Sequence, residues 1–342
     1  MTDKEIRLAE ETADIQHHKI VSAGVLFDRL EEHRSVKTDG IKLPWNKAEG
    51  RILLRPKELV LMGGYSGHFK STIASQIAFN AVERKIHVGI ASLELPAEEI
   101  IEQFAEFASD RQAAPLDYVK KMKDAIDPYL HVYDVVDVIN PEIALQMTIA
   151  LARDKGCKLI ILDALMMMGA SDDYGQEQKF SQRLAAIAKR YETCILLIHH
   201  VRKPEGHNGE SKIPGKYDFI GSSHLANISS TIITVWHDKE KAYKKNTGQT
   251  DDDSFDDSRP DLVLFICKQR NHKFEGKLGL WQSDRSRTFC ETHHRKAFQR
   301  LYYCVVMHGR LRPEIKPRHL LSGLLSSKMQ ARRSPTQLKT QR

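Results

Sequence analysis

Cysteine is scarce in this 342-residue chain, and its five copies (Cys157, Cys194, Cys267, Cys290 and Cys304) form no C-x-x-C pair. A zinc ribbon or a disulfide framework is therefore not expected, and packed thiols in a reducing compartment are. His293 and His294 stand near Cys290, but the spacing fits no standard metal site. Long apolar runs are missing too. None approaches the roughly 18 residues of a membrane-spanning helix, so no membrane partner is expected. The polar start, "MTDKEIRLAEE", is not a signal peptide, and a cytoplasmic location is the expectation. Acidic residues nearly vanish from one place. Between Glu291 and Arg342 twelve Lys and Arg face two Glu, so the net charge of +7 belongs to that tail. A basic isoelectric point of this origin does not mark the core as a nucleic-acid binder.

What is present is a regular alternation. Segments at about 4–17 and 22–33 read as helices, and a turn-rich connector, "TDGIKLPWNKAEG", follows. Then come strand "ELVLMG", helix "KSTIASQIAFNAVER", strand "IHVGIASLE", helix "PAEEIIEQFAEFA", strand "LHVYDV" and a helix capped by Asn140. "KLIILDALMMM" reads as a strand, "EQKFSQRLAAIAKRYE" as a helix and "CILLIHH" as a strand. Near-continuous apolar strands between amphipathic helices predict an α/β fold, a doubly wound and mostly parallel sheet covered on both faces. Beyond His200 lies a Gly-, Pro- and Lys-rich loop. "STIITVW", "DLVLFICKQRN", "GKLGLWQ" and "SRTFCE" then predict a C-terminal antiparallel extension. Asp251–Asp257 reads as a solvated acidic loop. The expected divisions are a helical linker over 1–36, the α/β body over 37–292 and a basic, poorly ordered tail over 293–342.

"GGYSGHFKST" matches the phosphate-binding pattern G-x-x-x-x-G-K-[ST] at Gly64, Lys70 and Ser71, with Phe69 where the last glycine belongs. Strand, Gly-rich turn and helix are all in order. The amides from Gly64 through Tyr65, Ser66, Gly67, His68 and Phe69 to Thr72 would surround phosphate oxygens at a helix N-terminus. Lys70 would reach the β- and γ-phosphates, and Ser71 would ligate Mg²⁺. Asp163 ends an apolar strand, where a carboxylate holds the hydration shell of that Mg²⁺. No Glu follows Asp163, so the base orienting the attacking water must stand elsewhere. Glu94 and His200 also end strands, and in a doubly wound sheet such ends converge on one crevice. Phe69 leaves two readings open, a working ATP site or one that binds nucleotide with impaired turnover.

Read in order, "LPW", "ELVLMGGYSGHFKST", "ASLELPAEEI", "LIILDALMMM", "LLIHHVRKP", "FIGSSHLANISSTIITVW" and "FICKQRNHKFEGKLGLW" resemble the DnaB/Twinkle-type replicative helicases of bacteria and phages. These are a branch of the RecA-like ATPases. The similarity runs over about residues 40–290, and "KQRN" ahead of a Gly-containing hairpin is its most specific part. It implies an ATP- and Mg²⁺-dependent enzyme translocating 5′→3′ on single-stranded DNA. By the same resemblance Glu94 is the catalytic glutamate, His200 the γ-phosphate sensor, and Arg270, beside Lys268, the arginine finger given to a neighbouring subunit. A finger in trans implies a homo-oligomeric ring, typically a hexamer, with a primase, polymerase or loader as further partners. The loops 168–179 and 202–223 would then face DNA through Arg202, Lys203, Lys212 and Lys216. A RecA-like recombination or regulatory ATPase fits "SLELP" and "KQRN" less well. Phe69 departs from the family pattern, as does the lack of a primase-like segment or of room for the bacterial N-terminal helical domain.

Overall fold

The computed structural model describes residues 21–30, 34, 40–169, 174–203, 209–221, 223–250 and 255–295. The helix expected at 4–17 and nearly all of the basic tail lie outside them. Helix α1, Ala23–Asp28, starts where the Ser22 side chain accepts the amide of Val25, and it buries none of its residues. Strands β1 (Ile41–Lys42) and β2 (Leu53–Leu54) then pair antiparallel.

Nine strands form the main sheet. In chain order they are β3 (Leu59–Gly64), β4 (Val88–Ser92), β5 (Leu130–Val132), β6 (Leu159–Asp163), β7 (Cys194–His200), β8 (Thr231–His237), β9 (Leu262–Gln269), β10 (Gly276–Gln282) and β11 (Phe289–Cys290). Their spatial order is β11-β10-β9-β8-β3-β7-β6-β4-β5. The six from β8 to β5 run parallel, and β9, β10 and β11 extend them antiparallel, as the sequence pattern predicts. All six residues of β3 are buried, and so are all five of β4 and of β6. Such strands are covered on both faces, and each fully buried Leu or Ile contributes about 1.5–3 kcal/mol. The sheet is thus a stiff frame for whatever its strand ends carry.

The main covering helices are α2 (Lys70–Glu83), α3 (Ala97–Ser109), α4 (Leu116–Ile126), α5 (Pro141–Arg153, capped by Asn140) and α6 (Tyr174–Tyr191). Two shorter ones follow, α7 (Ser223–Ile228) and α8 (Lys239–Asn246). Sequence periodicity missed α4, α7 and α8. Among the described residues no helix is long and apolar enough to cross a membrane.

Three expectations need correction. "KLIILDALMMM" is not one strand: β6 stops at Asp163, and Leu165–Met168 turns as a short 3-10 helix. Lys179 is not in a loop, because α6 already begins at Tyr174. Asp257 is not merely solvated. It pairs with Arg295 at 2.5 Å and with Lys241 at 3.6 Å. Lys241 also meets Asp261 at 2.8 Å, and the buried Arg295 donates to Asp261 and to the Gln282 carbonyl. This network ties α8 to the antiparallel extension.

Candidate functional site

The Gly-rich turn leaves β3 at Gly64 and enters α2 at Lys70. Glycine is required at the strand end by close approach. A Cβ on Gly63 would run into the Phe219 ring, and one on Gly64 would meet the Val235 carbonyl oxygen at 2.5 Å. Phe69, which stands where the pattern has its last glycine, takes the left-handed conformation with φ 61° and ψ 25°. That region costs a side-chain-bearing residue about 1–2 kcal/mol. The ring lies edge-on against His237 at 4.9 Å and Phe289 at 5.3 Å between centroids. Two such pairs return about 0.5–1.5 kcal/mol each, enough to offset the backbone strain.

Around the turn the strand ends bring the expected side chains together. Lys70 is buried, and its Nζ donates to the Tyr65 carbonyl at 2.9 Å and lies 3.5 Å from His200 Nδ1. His200 Nε2 is 4.0 Å from Glu94 Oε1. Glu94 follows β4 and is exposed. Asp163 ends β6 and accepts a hydrogen bond from the Ser71 hydroxyl. Burial lifts the Asp163 carboxyl to about 6; the Glu94 carboxylate adds to that rise, and Ser71 and the Lys70 ammonium oppose it. Burial lowers the Lys70 ammonium, against the raising fields of Asp163 and Glu94. The paired hydroxyl and carboxylate of Ser71 and Asp163 are hard oxygen donors of the kind Mg²⁺ takes, so the residues fit that ion.

Behind the turn stands a second set of contacts that sequence reasoning missed. His68, fully buried, accepts the His237 amide on Nδ1 at 3.0 Å, which leaves the proton on Nε2, 3.5 Å from Glu210. Glu210 also pairs with Lys239 at 2.7 Å, and Lys239 donates to the Ser66 carbonyl at 3.3 Å. The Tyr65 hydroxyl donates to the Lys212 carbonyl at 3.2 Å, and the Trp236 indole to that of Glu210 at 2.7 Å. The chain after His200 is therefore fastened to the Gly-rich turn. No local spacing announced Glu210, His237, Lys239 or Phe289, because each is placed by tertiary contact.

His199, also fully buried, donates from Nε2 to the Ile220 carbonyl, 2.9 Å away. Burial pushes both His68 and His199 down to about 4. An unfolded histidine takes its proton near 6.5, so each contributes stability that is full above 6.5 and is lost as pH falls toward 4. The loss is about 3 kcal/mol apiece. Asp163 acts oppositely: raised to about 6, it returns about 3 kcal/mol over much the same fall. For the nucleotide-free protein a net loss of about 3 kcal/mol between pH 6.5 and 4 is expected from these three groups. Urea unfolding across that range measures it, and His199→Asn should flatten the curve.

Arg270 and Lys268 lie elsewhere. Gln269 pairs with Thr231 at the start of β8, and the Arg270 amide donates to the Ser230 carbonyl at 2.9 Å. Ser230 in turn sits at the first residue of β3, whereas the Gly-rich turn leaves the last. Five residue steps of strand separate these levels by about 17 Å. Both cationic side chains fold onto the end of α7, Lys268 on the Ala226 and Asn227 carbonyls at 2.7 and 3.1 Å and Arg270 on that of Asn227. The structure thus gathers Lys70, Ser71, Glu94, Asp163 and His200, and leaves Arg270 and Lys268 at the opposite sheet end.

The four candidate DNA cations follow β7. Arg202, Lys203 and Lys212 are exposed and Lys216 half-buried. This stretch is more ordered than the open loop its composition predicts. Val201 bridges Phe219, and the Arg202 amide donates to the Asp218 carbonyl at 2.7 Å. Residues 204–208 lie outside the described set, and α7 begins at Ser223.

Comparison with known proteins matches residues 52–289 to the family described as DnaB-like helicase C terminal domain. A DNA helicase/primase of Enterobacteria phage T3 is 27% identical over 241 residues, 63% of this chain and 42% of that protein. The chain therefore spans less than half the length of that relative. Among solved structures, the ATPase domain of G40P superposes with TM-score 0.61 at 16% identity, covering 78% of this chain and 97% of that one. A DnaB-like replicative helicase, solved to study its interactions with primase, gives TM-score 0.61 at 16% identity, covering 79% and 67%. At such identity these two likenesses speak for the fold.

Proposed function

The chain belongs to the DnaB-like helicase C-terminal domain family, and from that premise we propose that it is the ATP-hydrolysing motor of a replicative DNA helicase, working as a ring on single-stranded DNA. The observation that carries this reading is the convergence of Lys70, Ser71, Glu94, Asp163 and His200 at one end of the parallel sheet. Amides of the 64–72 turn and the Lys70 ammonium hold the β- and γ-phosphates. Ser71 and Asp163 would hold Mg²⁺, which supplies charge neutralisation on the phosphoryl oxygens. Glu94 takes the proton of the attacking water, and His200, between Glu94 and Lys70, contacts the γ-phosphate and passes its loss to the segment beyond β7. Arg270, too far from its own turn, serves the neighbouring chain.

The same reading gives 202–223 to DNA, through Arg202, Lys203, Lys212 and Lys216, and residues 1–36 to subunit packing. Helix α1 leaves Leu26 and Phe27 exposed. A groove of about 360 Å³ between α3, α4 and β5, lined by Ile101, Met122 and Val132 among others, offers an apolar seat of the kind such a helix needs on a neighbour. Translocation 5′→3′, a hexamer, and a primase, polymerase or loader as partner remain parts of the same proposal.

Phe69 is compatible with turnover on this reading. Its ring is engaged with His237 and Phe289, which leaves the phosphates to backbone amides. The test is steady-state ATP hydrolysis with and without single-stranded DNA. Turnover stimulated by DNA and abolished in Lys70→Ala is expected, with Phe69→Gly within about threefold in rate and within about 1–2 kcal/mol of native stability, because the left-handed strain it relieves offsets much of the ring contact it loses. An inactive native chain revived by Phe69→Gly would overturn the motor and leave a ring that binds nucleotide and DNA as a scaffold.

A further inference from the structure

One large aromatic side chain in the segment after β7 is explained by nothing above. Tyr217 is 78% exposed, the most exposed large hydrophobic side chain among the described residues. Its position is nonetheless well defined. The Gly215 amide donates to Asp218 Oδ2 at 2.7 Å, closing a tight turn around Lys216 and Tyr217. The Asp218 carbonyl is held by the Arg202 amide, and Phe219 is buried against Gly63. The turn is thus pinned on both sides, and Tyr217 stands two residues before Phe219, which packs on the strand that carries the phosphate-binding turn. An exposed aromatic on a floppy loop would lose conformational entropy on binding; one on a pinned turn is already placed.

The surroundings of the ring are cationic. Lys216 Nζ lies 5.1 Å from the Tyr217 ring centroid. Lys268 is close enough for Lys216 to depress its ammonium, after the larger effects of burial and of Arg270. Arg202 and Lys203 leave the adjoining strand end. A ring with a lysine over one face and the remainder open to solvent, among further cations, is the combination by which proteins hold single-stranded nucleic acid, cations on phosphates and an aromatic ring on a base. A path of phosphates alone would need the lysines and not the ring.

We propose that Tyr217 stacks on a base of the bound single strand, so that each subunit grips both a base and the adjacent phosphates. The proposal rests on the assignment of 202–223 to DNA. It adds a requirement for bases, without preference among them, because every base presents a π-face.

The experiment compares a thymidine oligonucleotide with an abasic oligonucleotide of equal length, by fluorescence anisotropy on the full chain with a non-hydrolysable ATP analogue. The native protein should bind the thymidine strand about tenfold or more tighter than the abasic one. Tyr217→Ala should bring the two affinities together, Tyr217→Phe should keep them apart, and Lys216→Ala should weaken both alike. An unchanged ratio in Tyr217→Ala overturns the stacking role and leaves the DNA assignment standing. Equal loss on both strands, with a smaller assembly in sedimentation velocity, overturns it in favour of a contact between subunits. Binding of neither strand by the native protein overturns the DNA assignment itself, and the stacking role with it.

Discussion

Arg270→Ala is expected to lower DNA-stimulated ATP turnover by about three orders of magnitude, the smaller end of what an arginine finger supplies. The basis is distance. Arg270 hydrogen-bonds at the level of Ser230, beside the start of β3, and Lys70 stands beyond the end of β3. With about 17 Å of strand between those levels, no rotamer of Arg270 brings its guanidinium to its own phosphates. On the proposed reading the chemistry needs together two cations that the fold of one chain separates, and a second chain would reunite them. ATP binding by Arg270→Ala should stay within a few-fold, because the turn and Lys70 are untouched. A decisive measurement mixes two inactive variants. Arg270→Ala keeps an intact phosphate-binding turn, and Lys70→Ala keeps an intact finger. An equal mixture should regain activity at about a quarter of the subunit boundaries, those where the two intact halves meet. No recovery after reassembly would show that Arg270 does not act across a boundary.

Much of this arrangement was legible in the sequence, and the reason is local. Strands β3, β4, β6 and β7 are apolar runs buried on both faces, and such runs announce themselves. Once the sheet is known to be parallel, Lys70, Glu94, Asp163 and His200 must fall at the same end, since each follows or closes one of those strands. The antiparallel extension was legible from its hairpin spacing for the same reason. Helix α4 was not, because its apolar positions are sparse: Tyr118, Met122 and Ile126 at four-residue spacing among lysines. The left-handed backbone at Phe69 was not legible either. Nothing near it in sequence reveals that His237 and Phe289, each more than 160 positions away, will receive the ring. Glu210 was hidden likewise, inside a stretch whose Gly, Pro and Lys content reads as open loop, and so was its partner Lys239 at the start of α8. Composition describes a segment's own preferences, and here the partners lie on β8 and in the phosphate-binding turn.

Glu94→Gln tests the chemistry from the other side. Glu94 is exposed and next to His200, while Asp163 is buried and engaged by Ser71. Two carboxylates so differently housed divide the work: the buried one suits a fixed cation, and the open one can approach water. The amide keeps the size of Glu94 and loses its ability to take a proton, so turnover should fall by about 10²- to 10⁴-fold. Nucleotide affinity should not fall with it. The variant should then stay in its ATP-bound state and hold single-stranded DNA longer than the native chain does, whereas Lys70→Ala should lose nucleotide and DNA retention together. Pre-steady-state mixing separates the two, since Glu94→Gln should show nucleotide binding with no product burst. Turnover within tenfold of native in Glu94→Gln would remove Glu94 from the role of base. His200→Ala should behave differently again. It leaves the base in place and breaks the link at 3.5 Å to Lys70 and at 4.0 Å to Glu94, so hydrolysis without DNA should largely persist while its stimulation by DNA disappears. The pair of variants thus separates the making of phosphate from the sensing of it, and places that division between residues that touch.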